Sequence, residues 1–136
     1  MPQVPQENLD TAVAVLVSED FFRNRICTTL IAVGHEATVL EVGVDFVEFQ
    51  ERVLHATTLG LVIDLEEEGF DALALLSALM ADERTADWIL MAYCSYDRKD
   101  LLEAAAKIGV EVVLRSTFAS NLVRLLQGFS APQGRN

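Results

Sequence analysis

Two groups of acidic residues have the type and spacing for shared chemistry. Asp64 ends the continuous apolar run Leu59-Gly60-Leu61-Val62-Ile63, and Glu66, Glu67 and Glu68 follow before Gly69. An earlier apolar run, Ala12 to Val17, is followed at once by Ser18, Glu19 and Asp20. Two carboxylates roughly 4 Å apart repel by about 4 kcal/mol at an effective dielectric near 20, so a fold keeps such a cluster most readily around a cation. Hard oxygen ligands in a wet crevice suit Mg²⁺. Each group also has a plainer reading. Asp64 would cap a helix or end a strand, Glu19 and Asp20 would be an N-cap and a first-turn acid, and Glu66 to Glu68 would be a solvated acidic loop. The remaining reactive side chains offer less. Ser18, Ser95 and Cys94 have no nearby histidine to activate them, which argues against an enzyme. His35 and His55 lack a ligand partner at metal spacing and are expected on the surface. Cys27 and Cys94 sit in apolar contexts without a CxxC pattern, as buried thiols of a reduced, cytoplasmic protein do.

The elements that must position these groups alternate along the chain. Apolar runs at Ala12–Val17, His35–Val42, Leu59–Asp64, Trp88–Cys94 and Glu111–Leu114 predict five strands, with Trp88 and Tyr93 in the core. Runs without polar alternation fit strands buried on both faces, as in a parallel sheet. Between them, apolar residues recur at helical spacing. Phe22, Ile26, Leu30 and Val33 stripe a first helix ending at Gly34, and Phe46, Phe49, Val53 and Ala56 stripe a second. Leu73, Leu76 and Met80 mark a third, and Leu101, Leu102, Ala105 and Ile108 a fourth closed by Gly109. Phe118, Leu122, Leu125 and Phe129 stripe the last. Strictly alternating strands and helices make an α/β domain, and the flavodoxin-like order 2-1-3-4-5 is the leading topology for five strands. That order sets strands one and three side by side. The carboxyl ends carrying Glu19, Asp20 and Asp64 then share one crevice. Residues 1–10 read as a loose lead-in, 11–129 as a single domain and 130–136 as a polar tail.

Composition narrows the partners. The chain has 136 residues, 51% hydrophobic, with a formal charge of −11. Such a charge argues against nucleic acid and against an anionic membrane surface, because phosphate groups need Lys and Arg opposite them. No run of about 18 apolar residues predicts a membrane span, and no basic-then-apolar leader opens the chain.

From Ala12 to Phe129 the chain resembles the CheY-like receiver domains of bacterial response regulators. Glu19-Asp20 matches the family's acidic Mg²⁺-binding pair, Phe21 a residue often found next, and Asp64 the phospho-acceptor. Asp71-Ala72 lies where Asp-Gly is common, Ala104 to Gly109 resembles the alanine-rich helix end, and Phe118 the aromatic beyond the family lysine. The resemblance implies a metal site of Glu19, Asp20, Asp64 and the backbone carbonyl of Glu66, with phosphoryl transfer from a histidine kinase. Two positions depart from it. The Ser/Thr ending strand four is Cys94, a weak donor, with Ser95 beside it. The lysine of strand five is Ser116, followed by Thr117 for proline, with Arg115 adjacent but expected on the opposite strand face. Three functions stay open. The first is an atypical receiver phosphorylated on Asp64, and the second a pseudo-receiver acting as a protein-interaction module. The third, a flavin or cobalamin carrier, lacks its binding loops. Signalling would pass to a partner protein or a second copy through the face of strand four and the fifth helix, with Leu122, Val123 and Leu126 exposed there.

Overall fold

The computed structural model describes residues 12–40 and 58–130. The apolar runs form one parallel sheet of β1 (Ala12–Leu16), β2 (Glu36–Val39), β3 (Thr58–Asp64), β4 (Ile89–Cys94) and β5 (Val112–Leu114). Its order is β2-β1-β3-β4-β5, the expected flavodoxin-like arrangement. Among the described residues three longer helices accompany it: α1 (Asp20–Ala32), α2 (Ala72–Ala81) and α3 (Lys99–Ile108). The second striped segment, Phe46 to Ala56 with His55, lies outside the described residues, as do the lead-in, the last two residues of the second expected strand and residues 131–136.

Side-chain alternation divides the core into two layers. Val13, Val15, Val62 and Tyr93 pack on one face with Phe22, Ile26 and Leu30 of α1 and with Phe118, Leu122 and Leu126. Ala14, Leu16, Leu61, Ile63, Ala92 and Cys94 pack on the other with Leu76 and Leu79 of α2 and Ala105 of α3. Every residue of β1 is buried, as a strand with helices on both sides requires. Gly109, at φ 90°, closes α3 in the left-handed conformation that glycine adopts without steric cost. At Gly60 the need is space: a Cβ would strike the Ile89 carbonyl and come within 2.8 Å of the Phe129 ring.

The last helix is not continuous. It divides into α4 (Arg115–Ser120), α5 (Leu122–Leu126) and a 3-10 turn (Gln127–Ser130). Small polar side chains compete for its backbone. Ser120 Oγ donates to the Ser116 carbonyl at 2.9 Å, and Asn121 Nδ2 to the Thr117 carbonyl at 3.1 Å. The buried side of these segments is the side that carries Phe118. Leu122 and Leu126 are 3% and 0% exposed and belong to the core, so they are not available to an interface; Val123, at 55%, is. His35 is likewise buried rather than exposed, its ring edge-on to Phe129.

Candidate functional site

Asp64 is the last residue of β3 and pairs in register with Tyr93 of β4. The strand places it at the carboxyl edge of the sheet, where open α/β folds bind ligands. Its side chain is 7% exposed and both carboxylate oxygens are engaged. Oδ1 accepts from the Glu66 amide at 2.9 Å, a local turn that follows from the sequence Asp-Leu-Glu. Oδ2 accepts from an Arg115 guanidinium nitrogen at 3.3 Å. Burial raises the Asp64 pKa above its ordinary value of 3.8, against the lowering influence of the Glu66 amide and Arg115.

Arg115 enters the pocket for a reason that strand alternation hides. β5 stops at Leu114, and Arg115 is already the first residue of α4, so the two-residue period no longer governs it. Its guanidinium lies 5.5 Å from the Tyr93 ring centre and 5.9 Å from that of Phe22, an arrangement that adds cation–π attraction to the ion pair. Ser116, in contrast, is exposed on the first turn of α4. Cys94 is fully buried in the opposite core layer, and burial raises its thiol pKa. Neither departure position faces Asp64; the cation comes from the neighbour of one.

Glu66 and Glu67 are not a solvated loop. Glu67 reaches back to the end of β1, accepting from the Ser18 amide at 2.7 Å and from the Ser18 hydroxyl at 2.7 and 2.9 Å. Glu66 reaches forward to the end of β4, accepting from the Ser95 amide at 2.7 Å with Arg98 at 3.7 Å. Burial alone would raise the Glu66 pKa, but the Ser95 amide and hydroxyl, with Arg115 and Arg98, hold it below its ordinary 4.5. The loop after β3 is thus tied to the loops on both sides. The sequence singled out Ser18 and Glu67 but not their pairing, which spans 49 residues, and Arg98 carried no signal because arginine is common on surfaces.

The acidic pair takes its plainer roles. Glu19 is the N-cap of α1, its Oε1 accepting from the Phe22 amide at 2.8 Å, a length expected when the acceptor is charged. Asp20 pairs with Arg23 at 2.7 Å, one turn along the helix, and its side chain is 83% exposed. Among the described residues no three His, Cys, Asp or Glu side chains form a group able to hold a metal. As arranged, the carboxylates do not fit the magnesium set implied by the resemblance, because helix amide, arginine and serine donors already hold them. Arg115 brings positive charge to Asp64 instead.

One buried group stands apart. Among the described residues the Tyr93 hydroxyl has no hydrogen-bond partner, although its ring is tightly held, stacked at 4.8 Å on Phe118 and edge-on at 5.1 Å to Phe22. Burial, then the charge of Asp64, drives its pKa upward.

No protein-family model matches the chain, and no curated protein does. Solved structures do. The signal receiver domain of a signal transduction histidine kinase from Syntrophus aciditrophicus superposes with a TM-score of 0.76 at 10% identity, covering 93% of this chain and 94% of that one. The chemotaxis response regulator CheY4 of Vibrio cholerae gives 0.70 at 12% identity, covering 88% and 98%. The receiver domain of a sensor histidine kinase from Pseudomonas aeruginosa, described with a magnesium ion coordinated in its active site cleft, gives 0.69 at 13%, covering 88% and 96%. The fold that sets Asp64 at the sheet edge beside Arg115 is the fold of response-regulator receiver domains.

Proposed function

We infer that the protein is a receiver-type signalling module that works through protein contacts, as a pseudo-receiver, with its acceptor-position aspartate held in an internal ion pair. The observation that carries this reading is the state of Asp64: almost wholly buried, with one oxygen on the Glu66 amide and the other on Arg115. A carboxylate so engaged is a weakened nucleophile, since each hydrogen bond draws electron density from its oxygen and burial hinders the in-line approach of a phosphoryl donor. Its partner is a histidine kinase or another signalling protein, the setting of the receiver domains that share the fold. The chain itself turns over no substrate.

One observation favours a second reading, an atypical receiver phosphorylated on Asp64. Arg115 supplies a cation where Ser116 cannot, and would neutralise a phosphoryl group carried by Asp64. Magnesium binding in that state requires Glu19 to leave the helix cap and Asp20 to leave Arg23.

Incubation with acetyl phosphate and millimolar Mg²⁺, followed by intact-mass and peptide mass spectrometry, separates the two. The pseudo-receiver gives no acyl phosphate on Asp64, and its Tm moves by less than about 1 °C with Mg²⁺, since a ligand that is not bound cannot stabilise. Rapid labelling of Asp64, with a Tm that climbs with Mg²⁺, would establish the second reading.

A further inference from the structure

At the opposite end of the sheet from Asp64, a cavity of about 410 Å³ opens beside the start of β4. That volume lies within the range of small-molecule sites, roughly 300–1,000 Å³. Its lining is mixed: Met80 from the end of α2, Trp88 and Leu90 at the entry to β4 and Val110 after α3 give it an apolar side, and Thr85, Glu111 and exposed backbone give it a polar one. Trp88, Leu90 and Val110 are continuous with the core layer beneath. Gly109 adds no side chain to the wall; its left-handed conformation favours glycine, and an added Cβ would meet the Met80 methyl group in ordinary contact at 3.4 Å. Met80 is 41% exposed, a large apolar side chain left partly in water at the cavity wall. The charged group among the lining residues is the carboxylate of Glu111.

We propose that this cavity binds a small organic cation, an arylalkyl ammonium, with its flat body between Met80, Trp88 and Leu90 and its ammonium group toward Glu111. The chemistry of the walls selects the class. An apolar body takes up the aliphatic and indole surface, the indole face attracts a cation, and Glu111 supplies the counter-charge. An organic anion meets a carboxylate at the site and a chain of net charge −11. The cavity shares no residue with the Asp64 site, so the proposal stands whichever reading of Asp64 holds.

Trp88 is the only tryptophan of the chain, so intrinsic fluorescence reports on the cavity directly. The full chain is titrated with 2-phenylethylammonium, with 2-phenylethanol as the neutral isostere and phenylacetate as the anion. The ammonium compound is expected to shift Trp88 emission saturably and to bind at least about fivefold more tightly than the alcohol, with no saturable effect of the acid. Glu111→Gln should weaken the ammonium compound by about two- to fivefold, the scale of an exposed charge pair, and leave the alcohol unchanged. Ala86→Phe, which fills the cavity from an exposed wall position, should abolish the shift while thermal melting shows the domain folded. No saturable shift with the ammonium compound overturns the proposal. So does equal affinity for all three probes, or a shift that survives Ala86→Phe.

Discussion

Asp64 and Arg115 form a pair whose worth depends on how much water each sees. The Asp64 side chain is 7% exposed and that of Arg115 39%, so the pair is half-screened rather than dry. Arg115→Ala leaves a nearly buried carboxylate on the Glu66 amide alone and should cost about 1–2 kcal/mol, below the 3–5 of a fully buried pair. Asp64→Asn on the Arg115→Ala background should recover part of that loss, which a double-mutant cycle by urea denaturation measures directly. The pH dependence has a definite sign. Because burial raises the folded-state pKa of Asp64 above 3.8, the native state holds this proton more tightly than the unfolded chain. The contribution is fully present below about 3.8 and lost as pH rises through the folded value. Relative to Asp64→Asn, the wild type should therefore lose stability across that window. Carboxyl NMR titration should place Asp64 above 3.8 and Glu66 below 4.5. Tyr93 tests the same region from beneath. Its hydroxyl is buried and has no partner among the described residues, so Tyr93→Phe removes a desolvated group that gains nothing from them. Thermal melting should show no loss, and a gain of up to about 1 kcal/mol; a loss above about 1 kcal/mol would mean that the hydroxyl has a partner in solution.

Among the elements, the loop after β3 connects what the sheet only sets side by side. Glu67 holds the end of β1 through Ser18, and Glu66 holds the end of β4 through Ser95. These are contacts near the surface, so Glu67→Gln should change global stability by less than about 1 kcal/mol. Its larger effect should be local. The Ser18 amide, now donating at 2.7 Å, should exchange with solvent faster in Glu67→Gln, while amides of the buried β1 interior keep their protection. Equal acceleration of both would show that Glu67 acts on the whole fold. In the divided last helix Ser120 and Asn121 side chains add bonds to the Ser116 and Thr117 carbonyls, and Leu122 and Leu126 lie on the same inward face as Phe118.

For the whole molecule, the dominant electrostatic fact is the net charge of −11. Repulsion spread over a domain of this size opposes compaction and is screened by any salt. Raising NaCl from about 0.05 to 0.5 M, which shortens the Debye length from roughly 14 to 4 Å, should raise the Tm. Millimolar Mg²⁺ at matched ionic strength should add nothing further if the acids stay with their present donors. A Tm that falls with NaCl would show that the internal ion pairs outweigh the surface repulsion.

The sequence by itself determined the fold. Continuous apolar runs can satisfy their side chains only when covered on both faces, and helices alternating with them leave few topologies, so the order β2-β1-β3-β4-β5 was legible before any coordinate. It also placed Asp64, because a strand end is a local feature. Tertiary structure decided the site's electrostatics. Whether Glu19 and Asp20 turn toward Asp64 or toward their own helix depends on competing donors at similar distance, and the Phe22 amide and Arg23 hold them. Arg115 reached Asp64 because it opens α4 directly after β5; the sequence ended that strand at Leu114, and strand alternation carried one residue past that end put Arg115 on the wrong face. Ser18 and Glu67 lie 49 residues apart, and His35 is buried beside Phe129 from the far end of the chain. No local pattern encodes such pairs; the folding of the sheet brings them together.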